Sequence, residues 1–566
     1  MCGIAGILDG EASARPLIEA MTHRGPDGVT VEETDGRSLA HARLSVIDLE
    51  GGWQPLHAAG GVVVGNGEIY NYLELADDFG LQDALSTGSD FEPLLHLYAR
   101  EGPAAFHRLR GMYAFCLVGP DGRTWLVRDP FGIKPLYVME LETGLAFASE
   151  AGAFVKAGLA PPAITTEGAR EMLAFSYTLG EETALHGPRR VAPGAIIEVV
   201  DGRLVPHEIR PALPPPRTRP AASGEVALLK RLDVVLEDSV RVHQRADVPY
   251  GLFLSGGIDS ATIATLMSRL NSRPVTAFTC GFDAPGARDE RGEAEQVARA
   301  LNLDWRETTF TEEDFWTLLP QVANALDDPT ADYAILPTFK LAKAARGTLT
   351  VVLTGEGGDE LFGGYGRYRR ALRPAWLGGR PAEPRGVHPE LLQRWRDQAR
   401  APAGLTRLQQ AQYADIATWL PNDLLTKLDR CLMAHGLEGR TPFLDPVVAE
   451  FAFALPDRFK VRGRHGKWLL RKWLEAACPA ASPWARKQGF TVPVEAWIAP
   501  RAPAIAERIG QVIPLGVAIG AQEARHVFMD ENDSRRWPLL FLAVWSLIHV
   551  DGATPQEALE AVVGTN

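Results

Sequence analysis

The chain has 566 residues, with 58 Lys and Arg against 71 Asp and Glu, and a formal net charge of −13. Apolar residues make up 46% and charged residues 23%, ordinary for a globular chain and enough to exclude disorder and collagen-like repeats. The acidic balance argues against nucleic acid or an anionic membrane as the main partner, since neither would be attracted to it.

At roughly 100–200 residues per domain, the length predicts about three domains or two large ones. No apolar run approaches the ~18 residues of a membrane span. The nearest, Pro538 to Val550, carries Ser546 and His549 and reads as a buried helix. The N-terminus lacks the basic region of a signal peptide. Five cysteines, Cys2, Cys116, Cys280, Cys431 and Cys478, form no close pair, so neither a disulfide framework nor a zinc ribbon is expected and the chain reads as cytoplasmic. His23 and His41 have no metal-ligand partners at fixed spacing, which argues against zinc.

In chain order, the first half is strand-rich. Gly61 to Val64, Leu126 to Arg128, Leu145 to Ala148 and Gly194 to Val200 are short β-branched or apolar runs between Gly, Asp and Pro turns, and Asp90 to Glu101 is helix-like. A proline-rich stretch, 211–223, cannot continue a helix or a central strand and reads as a linker between units 2–210 and 224–566. The second half alternates. Glu225 to Gln244 reads as helix, Tyr250 to Leu254 as strand, Ala261 to Leu270 as helix and Val275 to Cys280 as strand. Gly292 to Leu301 then reads as helix, Arg306 to Phe310 as strand, Thr338 to Ala345 as helix and Thr348 to Leu353 as strand. Such alternation predicts a parallel sheet covered on both faces. After about residue 370 the pattern turns mostly helical, with Arg373 to Arg385 as a loop, and the Arg367 to Arg370 run reads as a solvated helix face.

Cys2 is the first candidate for chemistry. A lone cysteine is more often a small buried apolar side chain, but one exposed by removal of Met1 carries an α-amine of pKa about 7.7–8.0 that can act as base for its own thiol. Attack on a carbonyl then needs oxyanion donors. Asn66-Gly67-Glu68 directly follows the run Gly61 to Gly65 and offers a side-chain amide and an approachable backbone N–H. Arg43 can clamp a carboxylate, and Glu68 and Asp90 can take an ammonium. Singly, these are turn residues beside a surface Arg.

Ser255-Gly-Gly-Ile-Asp-Ser260 follows a strand and opens a helix, a turn that exposes successive backbone N–H groups to phosphate. It is not a P-loop of the Gly-Lys-Ser/Thr kind, and alone it is as well read as a tight capped turn. Thr354-Gly-Glu-Gly-Gly-Asp-Glu360 is a second Gly-rich acidic loop at a strand end, where open parallel sheets bind ligands. Asp259 and Asp359 are the candidate Mg²⁺ ligands.

Together the motifs are specific. Met1–Ile7, His23–Gly28, Arg43–Asp48, Gly65–Asn71, Thr87–Asp90 and Arg128–Tyr137 resemble the N-terminal-nucleophile glutamine amidotransferases. Ser255–Ser260 with Thr354–Glu360 resembles the PP-loop ATP pyrophosphatases, and the pair of units resembles bacterial B-type glutamine-hydrolysing asparagine synthetases over about residues 2–500, whose later motifs Met433–Asp445, Gly466–Lys472 and Arg486–Phe490 match. That resemblance implies an α/β and α+β chain: an αββα stacked-sheet glutaminase unit, then a Rossmann-like parallel-sheet synthetase unit with a mostly helical C-terminal portion. It implies Cys2 as nucleophile and Asn66 and Gly67 as oxyanion hole. Glutamine would be held by Arg43, Leu44, Ser45, Val46, Ile47, Asn66, Gly67, Glu68 and Asp90. ATP would meet Leu254, Ser255, Gly256, Gly257, Asp259, Ser260, Cys280, Thr354 and Gly355, with Glu356 and Lys467 serving acyl-adenylate formation.

The partners implied are L-glutamine, L-aspartate, ATP and Mg²⁺, in a homodimer. The segment between Gly6 and His23 is short for that family. Asp327 to Pro337 lies where the acceptor's carboxylates and amine are expected, in wording closer to the broader family, so a different carboxylate acceptor is the alternative reading. A non-catalytic glutamine or ATP sensor is the alternative of another class.

Overall fold

The computed structural model describes residues 2–215, 224–283, 289–485 and 492–564. Residues 216–223 of the expected linker and the Arg486–Phe490 motif lie outside the described residues.

Residues 3–209 build two six-stranded antiparallel sheets. The first runs, in spatial order, Arg189–Arg190, Tyr137–Glu140, Leu145–Ala148, Gly3–Leu8, Arg37–Arg43 and Gly28–Thr34. The second runs Arg203–Ile209, Ala195–Val200, Thr124–Arg128, Gly111–Val118, Gly61–Ile69 and Leu56–Ala58. Strand alternation assigns their faces. In the first strand Ile4 and Leu8 join Val64, Cys116, Leu126 and Phe147 between the sheets. Ala5 and Ile7 turn outward to helices Arg15–Glu19, Gly152–Lys156 and Thr166–Phe175. On the far side, Val63, Phe115, Trp125 and Val127 pack on Leu94, Leu95 and Tyr98 of helix Glu92–Glu101. The layers are therefore helix, sheet, sheet, helix.

The third sheet is wholly parallel, in the order Asp304–Phe310, Thr276–Phe282, Tyr250–Phe253, Val351–Leu353 and Glu438–Arg440. One face, with Leu252, Ala277, Val351 and Leu353, lies under helices Glu225–His243, Ile258–Leu270 and Arg291–Ala300. The other, with Phe278, Cys280, Phe310 and Val352, lies under Glu312–Ala325, Ile335–Ala345 and Leu425–Met433. Burial of both faces explains why these strands read as continuous apolar runs. Strand Tyr250–Phe253 has neighbours reached in opposite directions through the sequence, so the sheet's switch point lies between it and Val351–Leu353. Helix Arg536–His549 is buried almost throughout, and among the described residues no helix is long and apolar enough to cross a membrane.

Three local features depart from those expectations or add to them. The strand at Gly61 continues to Ile69, so Asn66, Gly67 and Glu68 are paired strand residues opposite Ala114, Tyr113 and Met112, and no turn begins there. Arg367 is no solvated residue: its guanidinium stacks between Tyr365 (4.1 Å) and Trp419 (4.4 Å) and bonds Asp415 at 3.0 Å. The mostly helical C-terminal part also contributes the edge strand Glu438–Arg440.

Candidate active sites

Cys2 stands immediately before the central strand Gly3–Leu8, at the end of the sandwich where that strand meets Gly61–Ile69 of the facing sheet. Its backbone N–H donates to Asn66 Oδ1 at 3.1 Å, and its thiol lies 3.8 Å from the Leu44 carbonyl. Burial pushes the Cys2 thiol above its ordinary range. Asn66 is fully buried, and its Nδ2 has no partner. Gly67 has φ +128°, and a Cβ there would sit 2.0 Å from the Met112 carbonyl oxygen. Only glycine fits that close approach.

The other first-half residues gather nearby. Arg43 donates to the Asp48 carbonyl, stacks on Trp53 at 4.7 Å, and leaves a buried Nη1 unpartnered. The Leu44–Ile47 segment is braced by Ser45 N–H donating to Asp27 (2.7 Å) and by Asp247 N–H donating to the Val46 carbonyl (2.9 Å). Asp90 accepts from Ile69 N–H at 2.7 Å. Burial raises Asp90 to about 7 and holds Glu68 well above the carboxylate range, with Glu438 adding to both shifts. A cavity of about 710 Å³ opens at the other end of the same strands, beside Leu8, Thr34 and Arg37. None of the motif residues lines it.

The second site lies at the switch point of the parallel sheet. Ser255 to Ser260 forms a turn closed on itself: Ser255 Oγ accepts from Gly257 N–H at 3.1 Å, and Ser260 Oγ accepts from Ser255 N–H at 3.1 Å. The loop Thr354 to Glu360 lies against it. A Cβ on Gly355 would meet Asp259 Cβ at 2.8 Å, and one on Gly358 would meet Asp259 Oδ1 at 2.5 Å, so the two loops touch only because these residues lack side chains. Lys467, in the left-handed region at φ +54°, reaches in from the start of helix Trp468–Ala477. Its ammonium bonds Asp259 and, at 2.7 Å, Asp359. Burial opposes that charge, but the two carboxylates outweigh it and raise Lys467. A left-handed non-glycine residue is strained, and here the strain aims a side chain that bridges both loops.

Glu356 is paired with Lys427 at 3.5 Å, and burial raises its carboxyl. Leu254 and Thr354 are buried at the strand ends, with Thr354 N–H donating to the Arg440 carbonyl at 2.9 Å. Cys280 sits inside its strand among Phe278 and Phe282, and burial pushes its thiol to about 12. Its side chain is a core residue.

The segment Asp327 to Pro337 divides. Asp327 accepts from Arg430 (2.5 Å) and Gly152 N–H (3.0 Å), and Asp328 pairs with Arg190 (2.6 Å) and Tyr137 (2.8 Å). Both acids thus fasten the second half to the first instead of facing an acceptor. Only Asp332 approaches the second site, 3.6 Å from Lys427.

Comparison with known families agrees with this geometry. A family described as asparagine synthase matches residues 231–538, and a glutamine amidotransferase domain matches residues 1–209. Asparagine synthetase [glutamine-hydrolyzing] 1 of Bacillus subtilis is 30% identical over 97% of this chain and 97% of its own. The chain belongs to the glutamine-hydrolysing asparagine synthetase family. Asparagine synthetase B of Escherichia coli is likewise 30% identical, over 87% of this chain and 82% of its own.

As a member of that family, the chain carries contacts around Cys2 that motif reading did not find. Arg440, from the parallel sheet, stands 3.4 Å from Glu68 and 2.6 Å from Glu438, and its guanidinium donates to the His243 and Arg245 carbonyls at 2.9 and 2.6 Å. Arg24 donates to the Cys2 carbonyl at 3.2 Å and forks onto Asp429 at 2.8 and 3.0 Å. The available signal was charge inside the Met433–Asp445 motif and in the helix before it, where charges are buried only with partners.

Proposed function

We propose that the chain converts L-aspartate to L-asparagine with ATP and glutamine, using residues 2–210 as glutaminase and 224–566 as synthetase. The observation that carries the reading is Asn66: its Oδ1 is fixed by the N–H of Cys2 while its buried Nδ2 stays unpartnered. A preorganised donor at that place is what a developing oxyanion requires.

With Met1 removed, the Cys2 amine takes the thiol proton and the thiolate attacks the glutamine amide carbon. Asn66 Nδ2 and Gly67 N–H hold the oxyanion, ammonia leaves, and water cleaves the thioester to glutamate. Arg43, with its spare Nη1, takes the glutamine carboxylate, and Glu68 and Asp90 take its ammonium, against the backbone of Leu44, Ser45, Val46 and Ile47. In the second site an aspartate β-carboxylate oxygen attacks the α-phosphorus of ATP and pyrophosphate leaves. Ammonia then attacks the acyl carbon of β-aspartyl-AMP and AMP departs.

The turn Ser255, Gly256, Gly257 and Ser260 offers donors to phosphate oxygens, with Leu254, Thr354 and Gly355 walling the nucleotide. Lys467 offsets their charge, and Glu356 supports formation of the acyl-adenylate. Asp259 and Asp359 both hold the Lys467 ammonium, and such a carboxylate pair fits Mg²⁺, which binds through one or two carboxylates plus substrate phosphates. Bound there, Mg²⁺ would neutralise phosphate charge as pyrophosphate leaves.

The test is product analysis with ATP, Mg²⁺, aspartate and amide-labelled glutamine. Labelled asparagine with AMP and pyrophosphate in equal amounts is expected, and Cys2→Ala should lose glutamine use while keeping ammonium use. Glutamate without asparagine would transfer the reading to another carboxylate acceptor.

A further inference from the structure

Beside the loop Thr354–Glu360, a chain of side-chain contacts closes into a ring. Glu360 accepts from the Tyr365 hydroxyl at 2.7 Å. The Arg367 guanidinium lies between the Tyr365 ring at 4.1 Å and the Trp419 ring at 4.4 Å. The Trp419 indole N–H donates to Asp423, which also accepts from the Thr330 hydroxyl. Asp423 stands one helical turn before Lys427, and Lys427 returns to the loop through Glu356 at 3.5 Å.

Two cations belong to this ring, and they are held differently. Lys427 is matched by Glu356 and, at 3.6 Å, by Asp332. Arg367 is anchored from behind. Its Nε and Nη2 reach one oxygen of Asp415, at 3.0 and 2.8 Å, on helix Arg407–Ala417, and the Tyr368 hydroxyl fixes the same oxygen. Among the described residues nothing bonds Arg367 Nη1, and 28% of the side chain stays accessible. Two aromatic faces and one tethered edge leave the guanidinium a single orientation, with its other edge open. A planar fork held in this way is a ready receptor for a carboxylate. Ordering it beforehand removes the side-chain entropy that a loose arginine would lose on binding. The acids of the ring oppose such a ligand only weakly. Burial raises Asp423 to about 8 and Glu360 to about 7, so near neutral pH neither carries its full charge.

We infer that Arg367 determines the choice of acceptor, its open edge taking a second carboxylate, the α-carboxylate of L-aspartate, while the β-carboxylate lies at the nucleotide loops. The inference rests on the aspartate reading above and narrows it. An acceptor whose α-carboxyl is masked, as in a peptide or an α-amide, leaves the fork unpaired. A site built to bond a polar group rejects the analogue that lacks it.

The test measures ammonium-driven AMP formation by the full-length protein with ATP and Mg²⁺, comparing L-aspartate with its α-amide. In the unaltered chain kcat/KM for L-aspartate should exceed that for the α-amide by about tenfold or more, the contribution of one charge-assisted bond. Arg367→Lys keeps the ion pair with Asp415 but has no second edge to present. It should raise KM for L-aspartate about tenfold while KM for ATP and for the α-amide stay within about twofold. A merely structural role would move all three KM values, or lower kcat for both acceptors alike. If Arg367→Lys does not fold, Trp419→Leu removes one face of the clamp and should narrow the same preference at least about threefold.

Equal use of both acceptors by the unaltered chain would overturn the inference. So would a preference left intact by Arg367→Lys and by Trp419→Leu, or one common loss for both acceptors. Preference for the α-amide would overturn it as well, and would move the site to acceptors joined through that carboxyl. No AMP from either acceptor in the unaltered chain would defeat the aspartate reading itself, and the inference with it.

Discussion

Asp90 carries the clearest pH signature of any single side chain in the glutaminase site. Burial raises its carboxyl to about 7, so it is largely neutral below that pH and charged above it. A glutamine ammonium needs the charged form. The KM for glutamine should therefore fall as pH rises from about 6 to about 8, by at most about tenfold per unit for one linked proton. Asp90→Asn should raise KM and flatten its pH dependence, and a KM profile unchanged by Asp90→Asn would remove this residue from the ammonium site. The stability sign is opposite. A native pKa above the unfolded one means that the folded state holds the extra proton, so Asp90 makes the protein less stable as pH rises between about 4 and about 7.

At the scale of elements, the two Gly-rich loops are defined by how closely they approach. Gly355→Ala places a Cβ 2.8 Å from Asp259 Cβ and 3.2 Å from Ser260 N, both attached to backbone that cannot swing aside. ATP-dependent synthesis should drop at least about tenfold with either nitrogen source, while glutamate release without ATP stays near normal. Steady-state rates with glutamine and with ammonium separate these outcomes, and equal losses in both half-reactions would mean general unfolding.

Most of these elements were legible because each is written locally. Apolar runs between Gly and Asp turns gave the parallel strands, and Ser255–Ser260 and Thr354–Glu360 carried their loops with them. The strand from Gly61 was legible only as far as Gly65, and taken singly Asn66–Glu68 read as turn residues, whereas Gly67 fits against the Met112 and Tyr113 backbone, and Gly65 against the Phe91 ring, because neither carries a Cβ. Asp327 and Asp328 were read as acceptor-facing because of where they fall in the motif order. Their partners Arg430, Arg190 and Tyr137 lie 103, 138 and 191 residues away, which no local pattern encodes. Arg367 reads as solvated until Tyr365 and Trp419 close over it.

For the whole molecule, the contact between halves is a chain of buried ions. Arg440 is fully buried, and Glu68 and Glu438 beside it come from different sheets. Removing one member leaves the others desolvated and unpaired, which costs about 3–5 kcal/mol. Arg440→Ala should lower the melting temperature by several degrees. Combining it with Glu68→Gln and Glu438→Gln should recover most of the loss, because neutral side chains need no counter-charge. Failure of the triple variant to recover would show that the guanidinium's bonds to the His243 and Arg245 carbonyls matter more than its charge.

The strand Glu438–Arg440 belongs to one sheet by its backbone and to the other half's pocket by its side chains. A change there is visible to both chemistries at once. Grafting a relative's residues 1–209 onto this chain would bring in foreign carboxylates without the cation that grew up opposite them. Only exchanges that also carry the segment from Leu425 to Arg440 respect the joint. Ancestry should therefore have kept that distant stretch in step with the N-terminal half more closely than with the rest of its own sheet.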